Sequence, residues 1–149
     1  MKKRINVMVL SVIMLLMSVL GVFAAETYEE WEDDWTDAAA SAFGYASCTE
    51  GGADAESNCY PTGSVIGTSV YVSGSFTYKE EGTTKSYILS DYDTDSTYSN
   101  SFADVYFTTP TGCVGVDILY EYTASYSAYY HGAVYEDSYS GSGDVWAVH

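Results

Sequence analysis

Hydrophobic and polar residues alternate along the chain from Ser64 onward. In residues 69–78, valine, glycine and aromatic residues alternate with serine, threonine and tyrosine, which gives one apolar face and one hydroxyl-rich face. This two-residue period is typical of a strand that is buried on one side. Residues 79–85 then predict a hairpin connection, and residues 86–91 predict the returning strand.

The same pattern recurs towards the C terminus, with glycine-containing turns predicted at 110–112, 131–132 and 140–144. Short alternating runs on close turn spacing are typical of all-β proteins. We therefore predict a mainly β domain over 64–149, with about six strands in an antiparallel β-sandwich or barrel-like sheet.

Tyrosine is concentrated late in the chain, where residues 118–141 hold seven of the sixteen. Between residues 114 and 130, most tyrosines share a face with valine and isoleucine, which predicts buried rings whose hydroxyls find a partner or water. Tyr129 falls on the opposite face, and Tyr71 lies on the polar face of an earlier strand. We predict that Tyr71 and Tyr129 contribute to an exposed aromatic patch that binds a ligand.

The segment before the β domain has a helical period. Aromatic and alanine residues recur at three- and four-residue steps over 28–43, with acids between them. We predict an acidic amphipathic helix over 25–47 that packs its aromatic stripe on the domain. The alternative is that the stripe binds a partner, in which case Trp31 and Trp35 are ligand-binding residues.

The first 24 residues have the features of a secretory signal peptide. Three basic residues precede an apolar run from Ile5 to Phe23, and Val22 and Ala24 occupy the −3 and −1 positions of a signal-peptidase site. Because the run approaches the length of a spanning helix, an uncleaved anchor is the alternative. We predict cleavage after Ala24 and a secreted or cell-surface protein.

Acids dominate the chain that remains after cleavage. Residues 25–149 contain two lysines, no arginine and all 21 acids, a formal charge of −19. Phosphate backbones and anionic lipids bind clustered lysine and arginine, so the composition argues against nucleic acid and peripheral membrane surfaces as partners. The composition is still that of a folded domain, because hydrophobic residues make up 47% of the sequence and aromatic residues 16%.

Three cysteines lie in a chain that we predict to enter an oxidising compartment. We predict a disulfide between Cys48 and Cys59, which would close a glycine- and acid-rich loop over 48–63. A bridge from Cys59 to Cys113 is the alternative. The spacing lacks the paired CxxC or HxxxH elements that mark a zinc site.

The most specific chemical pattern is the run of carboxylates at Asp91, Asp93 and Asp95. Alternating carboxylates supply the first ligands of a calcium loop because they converge on one hard cation. The pattern departs at Ser96, where such a loop needs glycine, and at Phe102, where it needs glutamate. A solvated acidic loop is the favoured interpretation of this run, and a calcium ion held by Asp91, Asp93 and Asp95 is the alternative. We predict no other cofactor.

No motif marks a catalytic site, because His131 and His149 are the only histidines and no GxSxG sequence occurs. The chain therefore suits a binding protein better than an enzyme. We predict a small secreted, acidic, bacterial β-domain protein that acts as a binding or surface-interaction module for carbohydrate or protein. A bacteriocin-like or toxin-like factor and a small carboxylate-dependent hydrolase are the alternatives.

Overall fold

The computed structural model describes the chain from Ala25 to Val148 except residues 36, 37 and 64, and it describes side chains from Ala40 onward except at 62–64 and 130. The predicted signal peptide lies outside these residues. No helix of the described chain has the length and apolar character of a membrane-spanning segment. The strands in chain order are β1 (Ala25–Trp35), β2 (Ala38–Thr49), β3 (Gly52–Gly63), β4 (Val65–Glu80), β5 (Ser86–Thr97), β6 (Ser101–Thr108), β7 (Cys113–Tyr130) and β8 (Ala133–Trp146).

The strands form two four-stranded antiparallel sheets that pack face to face. Sheet A has the order β1-β2-β3-β6, and sheet B has the order β5-β4-β7-β8. The chain passes between the sheets after β3, after β5 and after β6. This arrangement confirms the predicted antiparallel β-sandwich.

Two predicted chain reversals are confirmed by the backbone. β4 and β5 are joined by residues 81–85, where Gly82 has a φ of 71°. β7 and β8 are joined by His131 and Gly132, whose φ angles are 47° and 87°. Positive φ at both central positions is the pattern of a type I′ turn, whose twist matches that of the strands it joins.

The core consists of large side chains from sheet B packed against mostly small ones from sheet A. Sheet B contributes Phe76, Ile118 and three β7 tyrosines, each at most 3% exposed. The prediction that most β7 tyrosines are buried is therefore confirmed. The buried tyrosines are Tyr120, Tyr122 and Tyr126, and the small residues of sheet A are Ala40, Ala42, Ala46, Cys48, Ala53, Ala55, Ser57, Cys59 and Ala103.

The segment predicted as a helix over 25–47 is strand in the structure. Ala38–Thr49 is β2, and Ala25–Trp35 is β1 in antiparallel register with it. Alanine favours helices locally, but the small residues of β2 are needed opposite large rings. At Gly44, for example, an added Cβ would overlap the ring of the buried Tyr122. Packing against sheet B has overridden the local preference.

The segment predicted as a loop over 48–63 is a two-residue turn followed by β3. Cys48 is in register with Ala53, which lies six positions from Cys59 along β3. The two cysteine Cα atoms are therefore roughly 20 Å apart at about 3.4 Å per residue. A disulfide needs Cα atoms within about 7 Å, and all three cysteines are free. The predicted bridge between Cys48 and Cys59 is incompatible with this fold.

The described part of the predicted β domain contains five strands rather than about six, because β8 runs unbroken through residues 140–144, where we predicted a turn. The glycines in this stretch serve packing instead. An added Cβ at Gly143 would lie 2.8 Å from the ring of the buried Tyr120.

Candidate functional site

The outer face of sheet B carries a regular array of hydroxyl groups. Paired residues of adjacent antiparallel strands point to the same face, and the register brings four serines, one from each strand, into a single line. These four residues, called the serine row below, are Ser96 of β5, Ser69 of β4, Ser125 of β7 and Ser138 of β8. Because neighbouring strands lie about 4.8 Å apart, the row spans roughly 14 Å.

Hydrogen bonds order part of the serine row. Ser96 Oγ donates to Ser69 Oγ at 2.8 Å, and Ser125 Oγ donates to the backbone carbonyl of Ser69 at 3.5 Å. Each hydroxyl combines one donor with two acceptor lone pairs. The row therefore offers both kinds of hydrogen-bonding group to a ligand that lies across the sheet.

The serine row lines an open groove of about 620 Å³ at one end of sheet B. The groove is also lined by Tyr98, from the turn between β5 and β6, and by Glu136 of β8. Tyr98 is 88% exposed, so its ring is accessible to a ligand. Most small-molecule sites are concave and mainly apolar, with a few oriented polar groups. This groove is concave but is lined mainly by hydroxyl and carboxyl groups, with Tyr98 as its exposed aromatic ring.

Buried hydroxyls hold the turn that presents Tyr98. Thr68, which is 4% exposed, donates through Oγ1 to the Ser99 carbonyl at 2.6 Å. Since its single proton is used there, the Ser101 hydroxyl donates to Thr68 Oγ1 across the remaining 2.6 Å contact. Ser99 N donates in turn to Thr97 Oγ1 at 3.1 Å. The turn is thus tied to β4, and Tyr98 is displayed on an ordered support.

The predicted tyrosine patch is rearranged in the structure. Tyr71 and Tyr129 do lie on the same outer face, but Tyr71 is in register with Thr123, six positions from Tyr129 along β7, so the two lie roughly 20 Å apart. Tyr71 instead stacks on Tyr92 of β5, with ring centroids 6.3 Å apart and planes at 30°. Tyr92 is 69% exposed, and this pair lies beside the serine row.

The sequence prediction does not include Tyr92 or Tyr98. Asp91 and Asp93 flank Tyr92, a pattern typical of a solvated loop, and Tyr98 lies in a run of small polar residues. A usable signal was present. Tyr92, Thr94 and Ser96 alternate with the aspartates of β5, which is the two-residue period of a strand.

The two tryptophans predicted to bind a ligand lie in β1, an edge strand of sheet A. The backbone register pairs Trp31 with Ala42 and Trp35 with Ala38. Their side chains lie outside the described residues, so their ligand-binding role stays a prediction.

The carboxylates predicted to bind calcium lie in a strand rather than in a loop. Asp91, Asp93 and Asp95 alternate along β5, so successive Cα atoms are roughly 7 Å apart. Asp93 Oδ2 accepts from the backbone N–H of Asp104 at 3.2 Å, and Asp95 Oδ2 accepts from that of Phe102 at 3.1 Å. Both donors belong to the edge strand β6. Within the part of the chain that the structure describes, no three or more His, Cys, Asp or Glu side chains converge as a metal centre.

The outer face of sheet A has a different chemistry. Glu56 is in register with Asp104 and lies two residues from Asp54. Partial burial, and then the negative charges of Asp54 and Asp104, raise the pKa of Glu56. Tyr106 on the same face is 70% exposed. This face is acidic and aromatic, whereas that of sheet B is rich in hydroxyls.

The buried thiols belong to the core rather than to a site. Burial raises the pKa of both Cys48 and Cys59 to about 11, and the charge of Asp117 adds to the effect at Cys48. Both therefore stay protonated at neutral pH, whereas a thiolate is the form that attacks substrates or binds metals.

No protein-family model matches this sequence, and no curated protein matches it. The groups that give the groove its chemistry include the serine row, the accessible ring of Tyr98 and the acids Glu136 and Asp137.

Proposed function

We propose that this protein is a small secreted, acidic β-sandwich module that binds a carbohydrate chain in the serine-row groove of sheet B. The observation that supports this most directly is the presence, in one groove, of four aligned hydroxyls and the exposed ring of Tyr98. Sugars present hydroxyls beside apolar C–H faces, so their binding sites combine hydrogen-bonding groups with aromatic rings. Secretion in this proposal rests on the predicted signal peptide at 1–24.

The charge of the chain and one acid of the groove indicate which carbohydrates fit best. The charge of −19 over residues 25–149 would repel sulfated or uronic acid chains. Glu136 can accept hydrogen bonds from a sugar hydroxyl, and more strongly from a protonated amino group. Neutral and amino sugars are therefore the favoured ligand class.

The distance from Tyr92 to the serine row favours a chain of sugars over a single sugar as the ligand. Tyr92 lies four residues before Ser96 on β5, which is roughly 13 Å along the strand. A ligand that stacks on Tyr98 and extends along β5 would also reach the ring pair of Tyr71 and Tyr92. We therefore propose an oligosaccharide or polysaccharide segment as the ligand.

The proposal does not require a metal. Calcium at Asp91, Asp93 and Asp95 stays a separate proposal, supported by the alternation of the three carboxylates in the sequence. A calcium ion there would compete with the hydrogen bonds that Asp93 and Asp95 accept from backbone N–H groups of β6.

A glycan array and sedimentation with insoluble polysaccharides test the proposal. We expect retention on neutral or amino-sugar polymers and an affinity at least about fivefold lower for Tyr98→Ala, because loss of an aromatic contact of this kind costs about 1 kcal/mol or more. Tyr106→Ala is the matched control, since this exposed tyrosine lies on the outer face of sheet A.

The results separate the candidate functions. Absence of binding to every glycan, or equal losses for Tyr98→Ala and Tyr106→Ala, would reject the groove as the site. Release of reducing sugar from a bound polymer would instead support a carboxylate-dependent hydrolase.

A further inference from the structure

The edge of β5 differs along its length. β5 is an edge strand of sheet B, and near its C-terminal end the side chains of Asp93 and Asp95 bridge to β6. Residues 86–91, by contrast, are all exposed. The edge of a sheet presents backbone N–H and C=O groups that can pair with another strand, so this stretch is open to strand addition.

Apolar side chains mark the same stretch. Tyr87, Ile88 and Leu89 are consecutive, with exposed fractions of 44%, 67% and 39%. Edge strands of monomeric proteins are usually protected by charged residues or proline, and neither occurs between Ser86 and Ser90. A partner strand would remove this apolar surface from water.

The stretch is complementary to itself. In an antiparallel pair of two copies centred on Ile88, each end places a cation opposite an anion. Between the ends, hydroxyl residues face hydroxyl residues and apolar residues face apolar residues. The facing pairs between two copies are Lys85 with Asp91, Ser86 with Ser90, and Tyr87 with Leu89. Opposite charges, paired hydroxyls and aromatic–aliphatic contacts are the cross-strand pairs that stabilise sheets.

A local charge pair favours a second copy as the partner, although two chains of formal charge −19 over residues 25–149 repel each other overall. Residues 25–149 contain lysine only at positions 79 and 85, against 21 acids. Lys85 lies at the start of the open edge, its side chain is 70% exposed, and its ammonium group lies 3.8 Å from a carboxylate oxygen of Glu80. A cation opposite Asp91 stabilises a strand that pairs here, and a second copy supplies one with Lys85.

We propose that the 85–91 edge of β5 pairs with the same edge of a second copy. A two-fold axis at Ile88 makes every facing pair occur twice, as in any isologous interface. The two B sheets then become one continuous eight-stranded antiparallel sheet.

The dimer would change how a ligand is held, and this consequence rests on the proposed function. Residues that face each other across an antiparallel pair lie on the same face, so both serine rows would lie on one surface. Two grooves on one surface bind a polysaccharide with an avidity above that of either groove alone.

Sedimentation velocity of the secreted chain between about 1 µM and 1 mM, with a reductant to exclude disulfide-linked species, tests the dimer. We expect a reversible monomer–dimer equilibrium that Ile88→Lys abolishes. Val134→Lys is the matched control, because Val134 is also an exposed strand residue, 57% exposed, but lies on β8. Circular dichroism establishes that both variants stay folded.

A charge exchange tests the register. Lys85→Asp alone and Asp91→Lys alone each place like charges opposite each other twice, and each should weaken dimerisation about tenfold. The double variant restores opposite charges and should recover to within about threefold of the wild type.

A monomer at all concentrations would overturn the proposal. So would a double variant no better than the single ones, or a dimer that Val134→Lys disrupts and Ile88→Lys does not. The glycan affinity of a single groove should be unchanged in Ile88→Lys, so this proposal and the proposed function can fail separately.

Discussion

Replacement of Gly44 by alanine tests whether sheet A is packed directly on the Tyr122 ring. An added Cβ would lie 2.2 to 2.5 Å from three ring carbons of Tyr122, well inside the usual contact distance of about 3.5–4.0 Å. Tyr122 is 1% exposed, and its ring lies 6.1 Å from that of Tyr120 and 5.9 Å from that of Tyr139. The ring therefore has little room to move away.

The expected cost follows from this geometry. Overpacking of a core costs about 1–3 kcal/mol, and relief here requires a shift of more than about 1 Å, which points to the upper end of that range. Replacing glycine also restricts the unfolded chain and returns about 0.4–1 kcal/mol. We expect a net loss of about 2 kcal/mol for Gly44→Ala, or roughly 6–10 °C in Tm for a chain of this size.

Gly67→Ala is the matched control. The atoms nearest to its added Cβ are at 3.5 and 3.8 Å, which is ordinary van der Waals contact. This variant should be neutral or more stable by up to about 1 kcal/mol. Urea unfolding followed by circular dichroism measures the stability of both variants. A change in the urea midpoint at an unchanged m-value reports a change in the free energy of unfolding. Free energies of unfolding for the two variants that agree to within about 0.5 kcal/mol would refute the packing of small residues against large rings.

Three further predictions concern the thiols and calcium. In the folded protein, Cys113 should be alkylated at pH 8 well before the buried Cys48 and Cys59. Peptide mass spectrometry after timed alkylation measures the three rates, and equal rates would contradict the burial of Cys48 and Cys59. Burial raises the pKa of both buried thiols from 9.0 to about 11, so between these pH values the native state binds more protons than the unfolded state does. The free energy of unfolding should therefore fall as pH rises from 9 towards 11, and urea unfolding at each pH measures it. If calcium binds β5, it should raise Tm more than magnesium at equal ionic strength, and Asp93→Ala should remove the difference. Equal shifts from both ions would leave the aspartates as partners of the β6 backbone alone.

The sequence by itself determined much of sheet B. The alternation in residues 69–78, the reversals at 81–85 and 131–132, and the burial of most β7 tyrosines all appear in the structure. These features are local, because a strand with one buried face shows a two-residue period and tight turns need residues that tolerate positive φ.

Sheet A depended on tertiary structure. The alanine-rich segment that became β2 has a helical spacing and a helix-favouring residue, yet it is a strand because small side chains are needed opposite Tyr122. The partner that decides this lies about eighty residues away in the chain. Tertiary structure also excluded the predicted bridge between Cys48 and Cys59. Cys48 lies next to the turn between β2 and β3, whereas Cys59 lies six residues beyond its register partner Ala53, so the two residues are close in sequence but far apart in space.

The candidate site depended on tertiary structure even more. The serine row is assembled from four strands, and its members are separated by 13 to 29 residues in the chain. Each serine alone is an ordinary polar residue on the outer face of a strand. They form a line only because core packing and turn geometry set the register of all four strands, and a shift of one residue in any strand would turn its side chains to the opposite face.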